Sequence, residues 1–208
     1  MDFSQLDSFL ARKNQRFICI DNGWPEPSPE RHIAILAHNY TDPLSADELA
    51  RLKEQIPAIP QLAAFYSRYG SLSLHCDTIG EDFAFYIAEP DEWAELKTYF
   101  EAWLEHLDDD DRDFLPEWLD DYIVFGEVPR SGNYYLMPLS GTEAGKVFLF
   151  DHDGFEFTEE GHDLAAFISK ITTVNDALIN EILSHTRYSD GKTDTSWLAN
   201  SYAFDEVS

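Results

Sequence analysis

Basic residues are scarce in this chain. Fourteen lysines and arginines face 40 aspartates and glutamates over 208 residues, a formal net charge of −26. A surface this negative repels phosphate, and nucleic-acid affinity comes from lysines and arginines that release counterions, so direct nucleic-acid binding is excluded. The same sign argument excludes an anionic membrane surface. Cysteine is nearly lacking too. Cys19 and Cys76 are far apart and in no Cys-x-x-Cys arrangement, which argues against a disulfide framework. No apolar run approaches the roughly 20 residues that span a bilayer. The start, Met1-Asp2-Phe3-Ser4-Gln5-Leu6, has neither the basic region nor the apolar stretch of a secretory signal. The expectation is a soluble, cytoplasmic protein.

What is present is enough for a core. Hydrophobic residues make up 44% and aromatics 14%, too apolar for a disordered acidic tail. The length suits one large domain, or one domain with an appended segment. Phe3, Leu6, Phe9 and Leu10 recur at helical spacing. Phe17 to Ile20 reads as a strand, and Trp24-Pro25-Glu26-Pro27-Ser28-Pro29 is proline punctuation that fits neither helix interior nor central strand. Arg31 to Tyr40 fits a short helix or a strand equally well. Ser45-Ala46-Asp47-Glu48 is a capping box opening a helix to about Gln55. Pro60 sits well as a first helical residue, with Leu62, Phe65, Tyr66 and Tyr69 on its buried face and Gly70 as a left-handed C-terminal cap.

Strands are expected around Leu72 to Leu74, Phe83 to Ile87, Tyr122 to Val128, Asn133 to Pro138 and Gly145 to Phe150, the last central because it is so apolar. Trp93, Leu96, Phe100, Trp103 and Leu107 mark the strongest helix. Gly161 to Ile171 and Asn175 to Ser184 supply two more, and the polar remainder is expected to wind over the surface. Strands gathered in the middle, with helices before and after, indicate an α+β fold.

Ile59-Pro60-Gln61-Leu62, Phe65-Tyr66, Tyr69-Gly70, the Trp93 helix, Ile123-Val124-Phe125-Gly126, Gly145-Lys146-Val147-Phe148, Asp151-His152-Asp153 and Phe167 follow in an order that resembles the SMI1/KNR4 domain, or SUKH superfamily. The resemblance implies an α+β fold whose central mixed or antiparallel sheet is partly wrapped by helices, with no catalytic apparatus. It covers residues 45–171. Residues 1–44 then form an N-terminal extension packed on the main domain, and 172–208 a C-terminal helix and tail. Bacterial members are typically immunity proteins that neutralise toxins by binding them; fungal relatives are scaffolding regulators. Fold alone does not identify the ligand.

Charge is concentrated between Glu101 and Asp121. Glu101, Glu105, Asp108, Asp109, Asp110, Asp111, Asp113, Glu117, Asp120 and Asp121 lie there with Arg112 as the single lysine or arginine. Four aspartates beyond a helix C-terminus oppose its dipole, and nothing in the folding of a loop requires them. They read either as a landing surface for a basic partner or as a solvated loop. Trp103 has the spacing of a core residue; Phe114 and Trp118 flank Pro116 among the acids, as anchors in a charged rim do. The expected partner-binding set is Glu105, Asp108, Asp109, Asp110, Asp111, Asp113, Phe114, Glu117, Trp118, Asp120 and Asp121.

Other constellations read blandly. Asp151-His152-Asp153-Gly154 offers metal-ligand types, but Asp-Gly is turn chemistry. His75 and Cys76 are strand neighbours facing opposite ways, so the imidazole cannot easily activate the thiol. Ser140 to Gly145 has two glycines but neither a P-loop lysine–serine pair nor a following helix, and reads as a hairpin loop; His162, Asp163 and His185 form no ligand set. The expected protein is a non-enzymatic binding module without metal or cofactor. Its partner is a protein with a basic surface, such as a toxin domain or an endogenous scaffold partner, with no nucleic acid and no membrane. Oligomeric state is not readable.

Overall fold

A computed structural model of the chain describes residues 3–23, 29–108, 112 and 114–204. In chain order these form α1 (Ser4–Leu10), β1 (Gln15–Asp21), β2 (Arg31–Tyr40), α2 (Ala46–Gln55), α3 (Pro60–Tyr66), β3 (Leu72–Asp77), β4 (Phe85–Ile87) and α4 (Trp93–Leu104). A 3-10 turn (Glu117–Asp120), β5 (Tyr122–Val128), β6 (Asn133–Pro138), β7 (Val147–Asp151), β8 (Glu156–Gly161), α5 (Leu164–Thr172), α6 (Asp176–His185) and β9 (Trp197–Phe204) complete them. The fold is α+β. Most of the proline punctuation, residues 24–28, lies outside the described residues, as do Asp109, Asp110, Asp111 and Asp113.

The described residues fall into two compact units. One takes Tyr40–Leu72 and Tyr86–Ile168; the other takes those of Asp2–Asn39, Ser73–Phe85 and Ser169–Ser208.

In the first unit the strand order is β8, β7, β6, β5, β4, with each neighbouring pair antiparallel. The apolar β7 is flanked on both sides, by β6 and by the edge strand β8, whose Glu156, Thr158 and Glu159 are exposed. Charged residues on a short edge suppress further strand pairing. The capping box forms as read. The Ser45 hydroxyl accepts from the Glu48 amide at 3.4 Å, and the Glu48 carboxylate accepts from the Ser45 amide at 2.8 Å. In α4, Trp93, Leu96 and Phe100 turn inward, and the Phe100 ring meets Phe150 edge-on at 5.0 Å. Gln61 links three segments. Its Nε2 donates to the Gly145 carbonyl at 2.9 Å, and its Oε1 accepts from the Leu164 amide at 3.0 Å.

Gly70 does not take the left-handed cap expected of it. Residues with positive φ include Gly132, Gly141, Gly145 and Gly191 but not Gly70, and α3 ends instead at Ser67 in right-handed geometry. Space is what demands glycine here: a Cβ would collide with Thr41 Oγ1 and come within 2.6 Å of the Asp42 carbonyl oxygen.

The second unit has the strand order β3, β2, β1, β9. The ambiguous Arg31–Tyr40 segment is a strand, paired antiparallel with β1 so that Phe17 opposes Ala34. The polar tail is not all surface coil. Its Trp197–Phe204 pairs antiparallel with the far side of β1, Tyr202 opposite Phe17. The core gathers Leu6, Phe9, Phe17, Leu74, Phe85, Ile179 and Ile182, all buried. No helix of the described residues is long and apolar enough to cross a membrane.

Candidate functional site

The acidic segment follows α4. A helix leaves its last carbonyls unsatisfied and its C-terminus partly negative, and here Arg112 answers that need. Its Nη2 donates to the Leu104 carbonyl at 2.8 Å and its Nε to that of Leu107 at 3.4 Å. The one cation of the belt is thereby engaged with backbone, leaving the field of the segment negative.

Arg112 also borders an open cleft of about 490 Å³. Leu104, Leu115, Pro116, Leu119 and Tyr122 form its apolar lining, and Glu101, Glu105, Glu117 and Asp120 its carboxylates. Tyr122 donates to Glu101 Oε1 at 3.0 Å, and Lys97 lies 3.8 Å from the same oxygen and 4.1 Å from the centre of the Tyr122 ring. Burial and this carboxylate together push the Tyr122 hydroxyl well above its ordinary pKa, so it stays a donor. Glu101, Glu105, Asp108, Glu117, Asp120 and Asp121 are all exposed. The structure therefore brings Glu105, Glu117 and Asp120 around one cleft, with Asp108 and Asp121 adjoining them in the chain.

The two aromatic candidates part company. Trp118 lies stacked on Phe148, centroids 4.6 Å apart, with Phe157 edge-on at 5.4 Å. Phe114 is 86% exposed. Trp103 is half-buried, 4.7 Å from the His152 ring.

His152 has both ring nitrogens engaged, Nδ1 with Asn133 Oδ1 at 2.8 Å and Nε2 with Asp153 Oδ1 at 3.1 Å. The Asp153 amide donates to Asp151 Oδ1 at 3.1 Å. These are contacts of a turn, although the three side chains bring potential ligand atoms within 4.8 Å of one another. The left-handed position of that turn falls on Phe155 (φ 50°) rather than Gly154. The His75–Cys76 pair is split as well. The His75 Nε2 faces the Ile171 carbonyl at 3.1 Å, while Cys76 Sγ accepts from Asn39 Nδ2 at 3.6 Å. Burial pushes the Cys76 thiol up to about 11 and Cys19 to about 12, so neither offers a thiolate near neutrality.

The SMI1 / KNR4 family (SUKH-1) matches residues 43–170, more than half of the chain. The chain belongs to this family. No curated protein and no solved structure matches it. SUKH domains are in general non-catalytic immunity or regulatory domains, and protein–protein contact is the kind of interaction the family indicates. The matched residues contain the acidic cleft, Phe114 and Trp118. The cleft's apolar lining, Leu104, Leu115, Leu119 and Tyr122, was not anticipated. Its signal was faint, since leucines spaced among acids read equally well as helix and loop.

Proposed function

We propose that this SUKH protein acts by binding and is an immunity protein that neutralises a cognate toxin by covering a basic active-site cleft. The observation that carries the reading is the collection of Glu101, Glu105, Glu117 and Asp120 around one 490 Å³ cleft whose single guanidinium is engaged with helix carbonyls. A basic cleft that binds nucleic-acid phosphates would meet carboxylates in their place, and substrate would be kept out. Complementary charge of this kind steers encounter and raises the association rate at low salt.

The test is binding between this protein and the product of the neighbouring gene, by calorimetry across a salt series. A variant in which Asp108 to Asp111 become asparagine and serine runs in parallel. Affinity that falls steeply with salt, and drops in the variant, supports the reading. Undiminished binding by the variant at every salt concentration overturns the acidic-surface mechanism. An isolated gene whose protein instead co-purifies with an endogenous complex favours the scaffold role.

A further inference from the structure

Phe114 stands beside an apolar groove. The groove, about 330 Å³, is lined by Leu107, Phe114, Leu115, Phe155 and Phe157 together with Gly154. That is the small end of the range for ligand sites, room for one large side chain. Its far wall comes from the turn before β8, where Phe155 holds a left-handed backbone at φ 50° and places its ring 5.7 Å from Phe150. Glycine takes that conformation at no steric cost, so the phenylalanine supplies apolar surface at a position ill-suited to it. Two exposed carboxylates are chain neighbours of the lining residues, Asp108 after Leu107 and Asp153 before Gly154. An apolar groove on a chain of net charge −26, with Asp108 and Asp153 next in sequence to its lining, is complementary to an apolar side chain carried on a basic polypeptide surface.

We infer that this groove receives an apolar side chain of a basic protein partner, with Phe114 packing against that partner's surface. Apolar burial then sets how long the complex lasts, while the carboxylates set how fast it forms. The inference rests on the acidic-surface reading and adds an anchor to it.

Two nine-residue probe peptides rich in lysine and arginine test it, identical except for a central leucine in one and serine in the other. Each is titrated into the full chain at low salt, with binding followed by nuclear magnetic resonance. The leucine peptide is expected to bind at least about fivefold more tightly, to shift the signals of Leu107, Leu115 and Phe157, and to lose that advantage against Phe114→Ser. Because Phe114 is exposed, this variant keeps its fold, which its unperturbed spectrum verifies. Equal affinity of the two peptides overturns the groove inference and leaves the acidic reading standing. Failure of both peptides to bind overturns the two together, and leucine-dependent shifts elsewhere on the chain overturn the groove alone.

Discussion

The backbone amide of His75 donates to Nδ1 of His38 at 3.0 Å. This contact fixes the tautomer of His38: Nδ1 must be bare, so the proton sits on Nε2, which faces Gln15 Oε1 at 2.9 Å. Gln15 in turn donates to the carbonyls of Phe9 and Arg12 at 3.0 and 3.1 Å. His75 is itself buried, at φ 56°, beside the rings of Phe9, Phe17 and Phe85.

Both rings are held neutral, and the protein should therefore be acid-sensitive well above the carboxylate range. Burial lowers His38 to about 2, aided by His75, and burial lowers His75 and His185 to about 4. The unfolded chain takes up these protons near pH 6.5, before the folded one does. The contribution is thus complete above pH 6.5 and erodes as pH falls toward 4, by up to about 1.4 kcal/mol per pH unit for each ring. Urea midpoints from pH 7.5 to 5 should show this slope. His75→Asn, which tolerates the left-handed backbone, should make it shallower by one ring's share. An unchanged slope would remove His75 from the account.

Tyr66→Phe should destabilise the first unit. The hydroxyl is buried and donates to the Ala88 carbonyl at 2.5 Å. Removing it strands a buried acceptor, at a cost of about 1–3 kcal/mol. Thermal denaturation reads this directly, and a melting temperature equal to that of the parent would show the carbonyl to be satisfied otherwise.

Gly70→Ala isolates packing from backbone conformation, because Gly70 does not need a positive φ. The methyl would press on Thr41 Oγ1 and the Asp42 carbonyl, and overpacking of this kind costs about 1–3 kcal/mol. Equilibrium unfolding should show the loss. A neutral result would mean that the Thr41–Asp42 segment yields.

Trp118→Ala and Phe114→Ala should separate scaffold from contact surface. Trp118 loses its stacking on Phe148 and its edge contact with Phe157, a loss of about 2–4 kcal/mol in stability. Phe114 has little to lose in the folded chain, and its change should stay within about 0.5 kcal/mol. Paired melting curves check both. Equal destabilisation would put Phe114 in the fold rather than on its surface.

Local signals were the legible ones. The Ser45 capping box and the Trp93, Leu96 and Phe100 face of α4 are written in residues three and four apart and form as read, whereas Trp103 is only half-buried and Leu107 lies beyond the helix end. β9 was illegible because its partner β1 lies some 180 residues earlier and its own flanks, Gly191 to Thr195, are polar. The requirement for glycine at position 70 is hidden for a related reason: its crowding neighbours, Thr41 and Glu89, are distant in sequence. At the candidate site the carboxylates could be counted directly. The groove could not, since Leu107 and Phe157 meet only through the fold, although Phe155 and Phe157 alternate with acids as strand residues do.

The seating of β9 against β1 also has a consequence for biosynthesis. Gln15 to Asp21 leave the ribosome early, yet one flank of that strand stays open until Trp197 to Phe204 follow. During translation the exposed flank is an invitation to adventitious strand pairing. Chaperone binding or a pause in elongation would matter most in that interval, and a stop codon just upstream of Trp197 would leave the invitation standing for the lifetime of the polypeptide.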